Sequence, residues 1–187
     1  RLFTLRPDLR ALRLLGRTPD RKDDTLLGAV ADELAREGMH LASQVAHAGD
    51  LLPGPGTLTR RTPGEAEWAD IAFGWSMAKG IAGLDIGQSV VVRDRAIMAV
   101  EAIEGTDAAI RRGGELGGGG VTVVKVAKPD QDPRFDVPAM GPDTVAALAA
   151  AGGGCLAVEA GMTLVLDREE TVAAADAAGI ALVVTGP

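Results

Sequence analysis

Apolar positions first take on helical spacing at Leu26, Leu27, Val30 and Leu34, with acids at Asp23 and Asp24 in the first turn and Gly38 as a stop. This predicts a helix that opens at Asp23 or Asp24. Met39 to Val45 reads as a short strand, and the prolines and glycines around Pro53 and Pro55 read as a loop. Thr62-Pro63-Gly64-Glu65 combines a capping-box pattern with Pro at the first helical position, so a second helix is predicted to start there. Its stripe of Trp68, Ile71, Ala72, Trp75 and Ala82 is read as core packing rather than a base-stacking platform, and Gly83 ends it.

Beyond Gly83 the period changes to two. Ser89–Val92 and Ala96–Val100 are β runs separated by Arg93-Asp94-Arg95, which predicts a hairpin. A short helix from Thr106 to Arg112 follows, with Thr106 as N-cap. Gly113, Gly114 and Gly117–Gly120 then turn the chain into a strand over Val121–Val126. Residues 127–141 hold three prolines and no hydrophobic period, so an irregular loop is predicted. After it come a helix (Pro142–Ala151), strands at Cys155–Glu159 and Thr163–Leu166, a helix opening at Asp167-Arg168-Glu169-Glu170, and a final strand over Ile180–Val184. This alternation predicts an α/β fold, with two units joined near residues 53–62.

Composition narrows the chemistry. Of the 187 residues, 47% are hydrophobic and 24% charged, the balance of a globular protein with a real core. No apolar run is long enough to span a bilayer. A single cysteine, Cys155, excludes an intrachain disulfide framework and a multi-Cys zinc site, and its apolar strand makes it a core residue. His40 and His47 offer little for imidazole ligation, and Ser76, Ser89 and Cys155 have no adjacent His to activate them. Gly117–Gly120 lacks the Gly-Lys-Ser/Thr pattern of a phosphate loop. Chemistry therefore falls to carboxylates, Lys, Arg and backbone. The net charge of −7 conceals a basic opening: residues 1–22 carry a balance of +5, leaving −12 for the rest. Those arginines either contact phosphates or an anionic membrane surface, or are simply solvated. The acidic remainder argues against a nucleic-acid binder.

Three segments gather polar groups. Asp85-Ile86-Gly87-Gln88 lies between the second helix and the first β run and is either a plain turn or part of a site. Glu101-Ala102-Ile103-Glu104-Gly105-Thr106-Asp107 converges carboxylates where a strand end turns into a helix, whose opening amides favour anions; Asp107 also fits ordinary dipole compensation. Lys125 through Pro138 packs two Lys, one Arg, three Asp and one Gln into a proline-pinned loop. That composition suits a cation and diphosphate together, and equally a salt-bridged surface loop.

Taken in order, Asp85–Val92, Ala99–Asp107, Lys125 with Lys128-Pro129, Gln131–Pro138, Gly141–Thr144 and Ala157–Thr163 resemble the LpxI family, the UDP-2,3-diacylglucosamine pyrophosphatases of lipid A biosynthesis in Gram-negative bacteria. The resemblance covers most of residues 57–187, and the acidic helix at Asp23 resembles the family's middle segment. It implies a mixed-sheet C-terminal catalytic domain over residues 57–187 with flanking helices. Residues 1–56 would then be the end of a Rossmann-like first domain. The family's Gly-rich opening is absent and the first residue is Arg, so the expectation is a piece of a longer protein.

The resemblance further implies Mg²⁺-dependent hydrolysis (Mn²⁺ as a substitute) of the nucleotide-sugar pyrophosphate to lipid X and UMP. It implies a cytoplasmic enzyme in peripheral contact with the inner membrane, with the substrate held between two domains; a homodimer is left open. Residues and resemblance together assign Asp132 to metal ligation or water activation, with Asp107 and Glu104 as co-ligands and Asp136 as a further metal ligand. Lys125 and Arg134 would stabilise phosphoryl charge. Gln88, Thr106 and Glu101 would contact substrate. Acyl chains would need an apolar groove, for which the helix Pro63–Gly83 and the β runs near Val90 and Met98 are the richest sources. The alternative is a non-catalytic binder of a nucleotide-sugar or acylated sugar phosphate, which would gain little from so many carboxylates without a bridging cation.

Overall fold

The computed structural model describes residues 7–19 and 23–186; Arg1, Arg6, Arg21 and Lys22 of the basic opening lie outside them. Two helices come first: α1 (Leu9–Arg17), which the sequence reading did not anticipate, and α2 (Asp23–Arg36). The Asp8 carboxylate accepts a hydrogen bond from Ala11 N at 2.8 Å and caps α1. Arg10 ties α1 to α2 through Glu33 and Glu37.

The strand expected over Met39–Val45 does not form. That stretch is irregular and runs into the short 3-10 turns Val45–His47 and Gly49–Leu51. A strand needs a ladder partner, and Gln44 N instead donates to the Pro133 carbonyl at 2.8 Å, across from the 127–141 loop. The segment β1 (Gly56–Thr57), read from sequence as loop, pairs with the sheet edge.

The rest alternates as the sequence suggests: α3 (Glu65–Gly83), β2 (Ser89–Arg93), β3 (Ala96–Val100), α4 (Thr106–Gly117), β4 (Thr122–Lys125), β5 (Ala139–Met140), α5 (Pro142–Ala150), β6 (Cys155–Glu159), β7 (Leu164–Val165), α6 (Arg168–Ala177) and β8 (Ala181–Thr185). Six strands form one sheet in the order β1-β8-β6-β4-β2-β3, and β5 and β7 form a separate parallel pair. The sheet is mixed, because β4, β6 and β8 run parallel while β2 pairs antiparallel with both β3 and β4.

Each central strand alternates between two cores, as a pleated strand must. Val90, Val92, Val124, Cys155, Ala157, Ala181 and Val183 pack under α3 with Ile71, Trp75, Ala78 and Ala82. Val91, Val123, Leu156, Val158, Leu182 and Val184 face the other way, with Ile110, Val145, Leu148 and Ala175 from α4, α5 and α6. Burial on both faces explains why these strands read as continuous apolar runs. The buried stripe of α3 differs from the expected one: Trp68 and Ala72 are exposed, and Gly74 lies against the sheet, where a Cβ would come within 2.8 Å of Val92. Its N-cap is Gly64 rather than Thr62, and the Glu67 carboxylate accepts from Gly64 N at 2.8 Å.

The predicted hairpin has a two-residue turn, Asp94-Arg95, with φ of 51° and 58°. Gly, Asn and Asp tolerate that region, so the strain falls on Arg95. The strain is offset by Asp70 of α3, 5% exposed, whose carboxylate accepts from Asp94 N at 3.2 Å and Arg95 N at 2.6 Å. Asp70→Ala leaves both amides without that acceptor, and is expected to lower unfolding stability by about 1–3 kcal/mol. Asp70→Asn, which keeps one acceptor oxygen, should lose less; urea midpoints of the two variants check the order.

Candidate functional site

Where β4 ends, the sheet changes from antiparallel to parallel pairing, and an open cavity of about 770 Å³ lies beside it. Three stretches line it: Asp85–Gln88 entering β2, Glu101–Ile103 with Gly105 leading into α4, and Lys125, Lys128 and Asp136–Ala139 from β4 and the loop beyond. These are the three segments that the sequence reading singled out.

At the centre is Lys125, only 7% exposed. Burial pulls its ammonium pKa below the ordinary lysine value, while the carboxylates of Glu101, Asp107 and Asp136 pull the other way. Lys125 Nζ donates to Thr106 Oγ1 at 2.8 Å, and Thr106 Oγ1 in turn donates to Glu101 Oε1 at 2.7 Å. Thr106 is free for this relay because it is not the N-cap, contrary to expectation. Gly105 holds that position, at φ 84°, and no side chain caps α4. A positive φ of this kind favours glycine. Ser89, opposite Lys125 in the β2–β4 ladder, is buried, and its hydroxyl has no hydrogen-bond partner among the described residues. Gly87 lets two stretches of the cavity wall touch: a Cβ there would collide with the Glu101 carbonyl oxygen.

The loop after β4 is fastened at several points. Lys128 Nζ pairs with Asp85 at 2.8 Å and with Asp136 at 3.3 Å. Gln131 Nε2 donates to the carbonyls of Phe135 and Asp136. Asp132 and Arg134 form a two-pronged ion pair, with contacts of 2.7–3.1 Å, and the guanidinium lies 5.4 Å from the Phe135 ring centre. The guanidinium of Arg134 holds the Asp132 carboxyl below its usual range. With a lowered pKa, the ionised form of Asp132 is fully present at neutral pH, and the pair is lost only as pH falls through that lowered value. Asp32 of α2 also acts on Arg134 electrostatically, so this pair stands where the N-terminal segment meets the loop.

The expected site residues thus divide. Gln88, Glu101, Lys125 and Asp136 line the cavity; Thr106 and Asp107 stand behind Lys125 at the start of α4. Asp132 and Arg134 pair with each other on the same loop, outside the lining. Glu104 turns away, its carboxylate on Arg112 at 2.9 Å and accepting from Ala102 N. The expected metal ligands Asp132, Asp107, Glu104 and Asp136 are not gathered, and no group of three or more His, Cys, Asp or Glu able to hold a metal occurs among the described residues. The sequence reading left Asp85 and Lys128 without roles, although both belong to the quoted segments; their pairing across the cavity has no signal in local spacing. Of the apolar sources expected, Val90 is fully buried core, whereas Trp68, Ile71, Ala72 and Trp75 of α3 line a separate, mainly apolar cavity of about 320 Å³ with Ser76, Thr185 and Gly186, away from the Lys125 cavity. Apolar surface at the cavity comes instead from Ile86 and Ile103, both exposed, with Val137 and Pro138.

A buried ammonium, uncapped helix amides and flanking carboxylates at the carboxyl end of a mixed sheet make an α/β protein with a cleft suited to an anionic ligand. The LpxI C-terminal domain matches residues 54–183 and the LpxI N-terminal domain matches residues 1–51. The chain is 37% identical over 188 residues to the UDP-2,3-diacylglucosamine pyrophosphatase LpxI of Caulobacter vibrioides, an alignment covering 94% of this chain and 67% of that protein. The chain belongs to the LpxI family.

Proposed function

We propose that this protein hydrolyses the pyrophosphate of UDP-2,3-diacylglucosamine, giving 2,3-diacylglucosamine 1-phosphate (lipid X) and UMP in lipid A biosynthesis. The observation that carries the reading is the buried Lys125 ammonium at the uncapped start of α4, in a cavity with both carboxylates and apolar side chains. Water attacks one phosphorus, the bond from that phosphorus to the bridging oxygen breaks, and negative charge grows on the departing phosphate. Lys125 and the first amides of α4 receive phosphoryl oxygens there, while Thr106 Oγ1, whose proton goes to Glu101, holds the ammonium in place. Gln88 and Glu101 meet the substrate's polar groups on the facing wall. Ile86, Ile103, Val137 and Pro138 meet the apolar part of the ligand, each buried CH₂ contributing about 0.8 kcal/mol.

The donor set fits a hard cation of one kind. Mg²⁺ is commonly held by one or two carboxylates with waters and substrate phosphates completing its shell, not by an all-protein cage. Asp136 and Glu101, both on the cavity wall, would hold it with the diphosphate, and Asp107 lies behind them. When bound, the cation supplies charge neutralisation to the phosphates; Mn²⁺ has similar ligand chemistry. Asp132, kept ionised by Arg134 on the loop outside the lining, would orient the attacking water once that loop meets substrate, and Arg134 adds positive charge on the side facing α2. No helix among the described residues is long and apolar enough to cross a membrane. Contact with the cytoplasmic face of the inner membrane is assigned to the acyl chains of substrate and product. A purely binding role is the weaker reading, because it leaves Glu101, Asp107 and Asp136 around a phosphate cleft without use.

In the full-length protein, EDTA should abolish UMP release from UDP-2,3-diacylglucosamine, and added Mg²⁺ or Mn²⁺ should restore it. Undiminished turnover in chelator removes the carboxylates from cation binding. Asp132→Ala should stay folded by circular dichroism and lose roughly 10²-fold or more in kcat, the scale seen when a transition-state contact is removed. Near-native kcat in that variant would transfer the water-orienting role to Asp136 or Asp107.

A further inference from the structure

The segment Ala157–Thr163 stood out in the sequence, yet none of it lines the cavity. Its one acid, Glu159, ends β6 on the face of the sheet that packs on α3, opposite to the face that carries Lys125. There it meets Lys79 of α3: Lys79 Nζ donates to Glu159 Oε1 at 2.8 Å and to Oε2 at 2.7 Å. The pair also takes both polar groups of one residue. Ala127 N donates to Glu159 Oε2 at 2.7 Å, and Lys79 Nζ donates to the Ala127 carbonyl at 3.0 Å.

Ala127 is fully buried and lies two residues beyond the end of β4. The next residue, Lys128, crosses to Asp85 and Asp136 on the cavity wall, and the Pro129 ring lies against the end of α3 near Gly83. The direction in which the chain leaves β4 is therefore set by a charged pair that touches nothing in the cavity. A partly buried ion pair is weak evidence of stabilisation, since desolvation offsets much of the attraction, and a fixed geometry is what such a pair, hydrogen-bonded to one peptide, supplies.

We propose that Lys79 and Glu159 are positioning residues: they clamp the Ala127 peptide and so hold the loop 127–138, with Lys128, Asp132, Arg134 and Asp136, in the arrangement the reaction requires. This rests on the functional reading above for its kinetic consequence, but the clamp itself is readable without turnover.

The test measures UMP release and amide hydrogen exchange on the full-length protein. Glu159→Ala is expected to lower kcat by about tenfold or more, in line with the cost of misplacing reacting groups by an ångström. Amides of residues 127–136 should exchange faster, while those of β6 and β8 stay protected. Glu159→Gln keeps an acceptor for Ala127 N and should recover most of both. If Glu159→Ala does not fold, Lys79→Met, which removes the donor to the Ala127 carbonyl and the ion pair with Glu159 but leaves the Glu159 acceptor for Ala127 N, should shift both readouts in the same direction. Wild-type kcat, KM and loop exchange in the folded variant overturn the proposal. So does a uniform rise in exchange with unchanged kcat, which marks a merely structural tie. Should the wild-type protein release no UMP, the functional reading fails instead, and exchange alone decides the clamp: local loosening of 127–136 upholds it and unchanged protection overturns it.

Discussion

An ammonium with 7% exposure at the end of a strand is costly unless negative charge or hydrogen-bond acceptors stand close by, and the surroundings of Lys125 follow from that requirement. Glu101, Asp107 and Asp136 supply the opposing charge from three different segments. None of these three carboxylates forms a close ion pair with it in the way that Asp132 does with Arg134; its direct partner is the Thr106 hydroxyl. The cation is thus surrounded by negative charge while its strongest contact is neutral, which leaves it able to take an anionic oxygen. Gly105 and Gly87 make the arrangement geometrically possible, the first by its positive φ before α4 and the second by its contact with the Glu101 backbone.

The two faces of the sheet divide the work. On the α4 face, Ser89, Lys125 and Thr106 assemble the anion-receiving end of the cavity. On the α3 face, Lys79 and Glu159 fix the peptide from which the long loop departs. One short stretch, Lys125 to Ala127, serves both: the Lys125 side chain turns to the α4 face, and the pair on the α3 face takes the backbone N–H and carbonyl of Ala127. The loop then carries Lys128 back to Asp85, and Arg134 toward α2, so it joins the cavity to the N-terminal segment.

Much of this was legible in the sequence. The apolar runs at Ser89–Val92, Val121–Val126, Cys155–Glu159 and Ile180–Val184 are long enough and β-branched enough to be strands wherever they sit, and they became β2, β4, β6 and β8. The three polar segments were found because rigid loops dense in both signs of charge stand out against such strands. What was hidden depended on tertiary partners. Met39–Val45 has strand composition but no ladder beside it, whereas Gly56–Thr57 has almost no strand propensity and pairs with β8 because an edge is open there. Ala139–Met140 likewise becomes β5 only through β7. Within the cavity, Thr106 was misassigned as a cap because local pattern cannot show that the preceding glycine takes the strained position. Glu104 was included because spacing alone cannot tell a carboxylate that faces a cavity from one that faces Arg112.

The central claim, that Lys125 is a buried cation poised for a phosphate, is tested most directly by the ¹⁵N resonance of its side chain followed against pH in the full-length protein. Burial lowers its pKa, so in the free protein the signal should titrate at lower pH than an exposed lysine. An anionic ligand favours the charged form, so saturating UMP or 2,3-diacylglucosamine 1-phosphate should move the titration upward for whichever product carries the phosphate bound there. An ordinary lysine titration that neither product shifts would contradict the account.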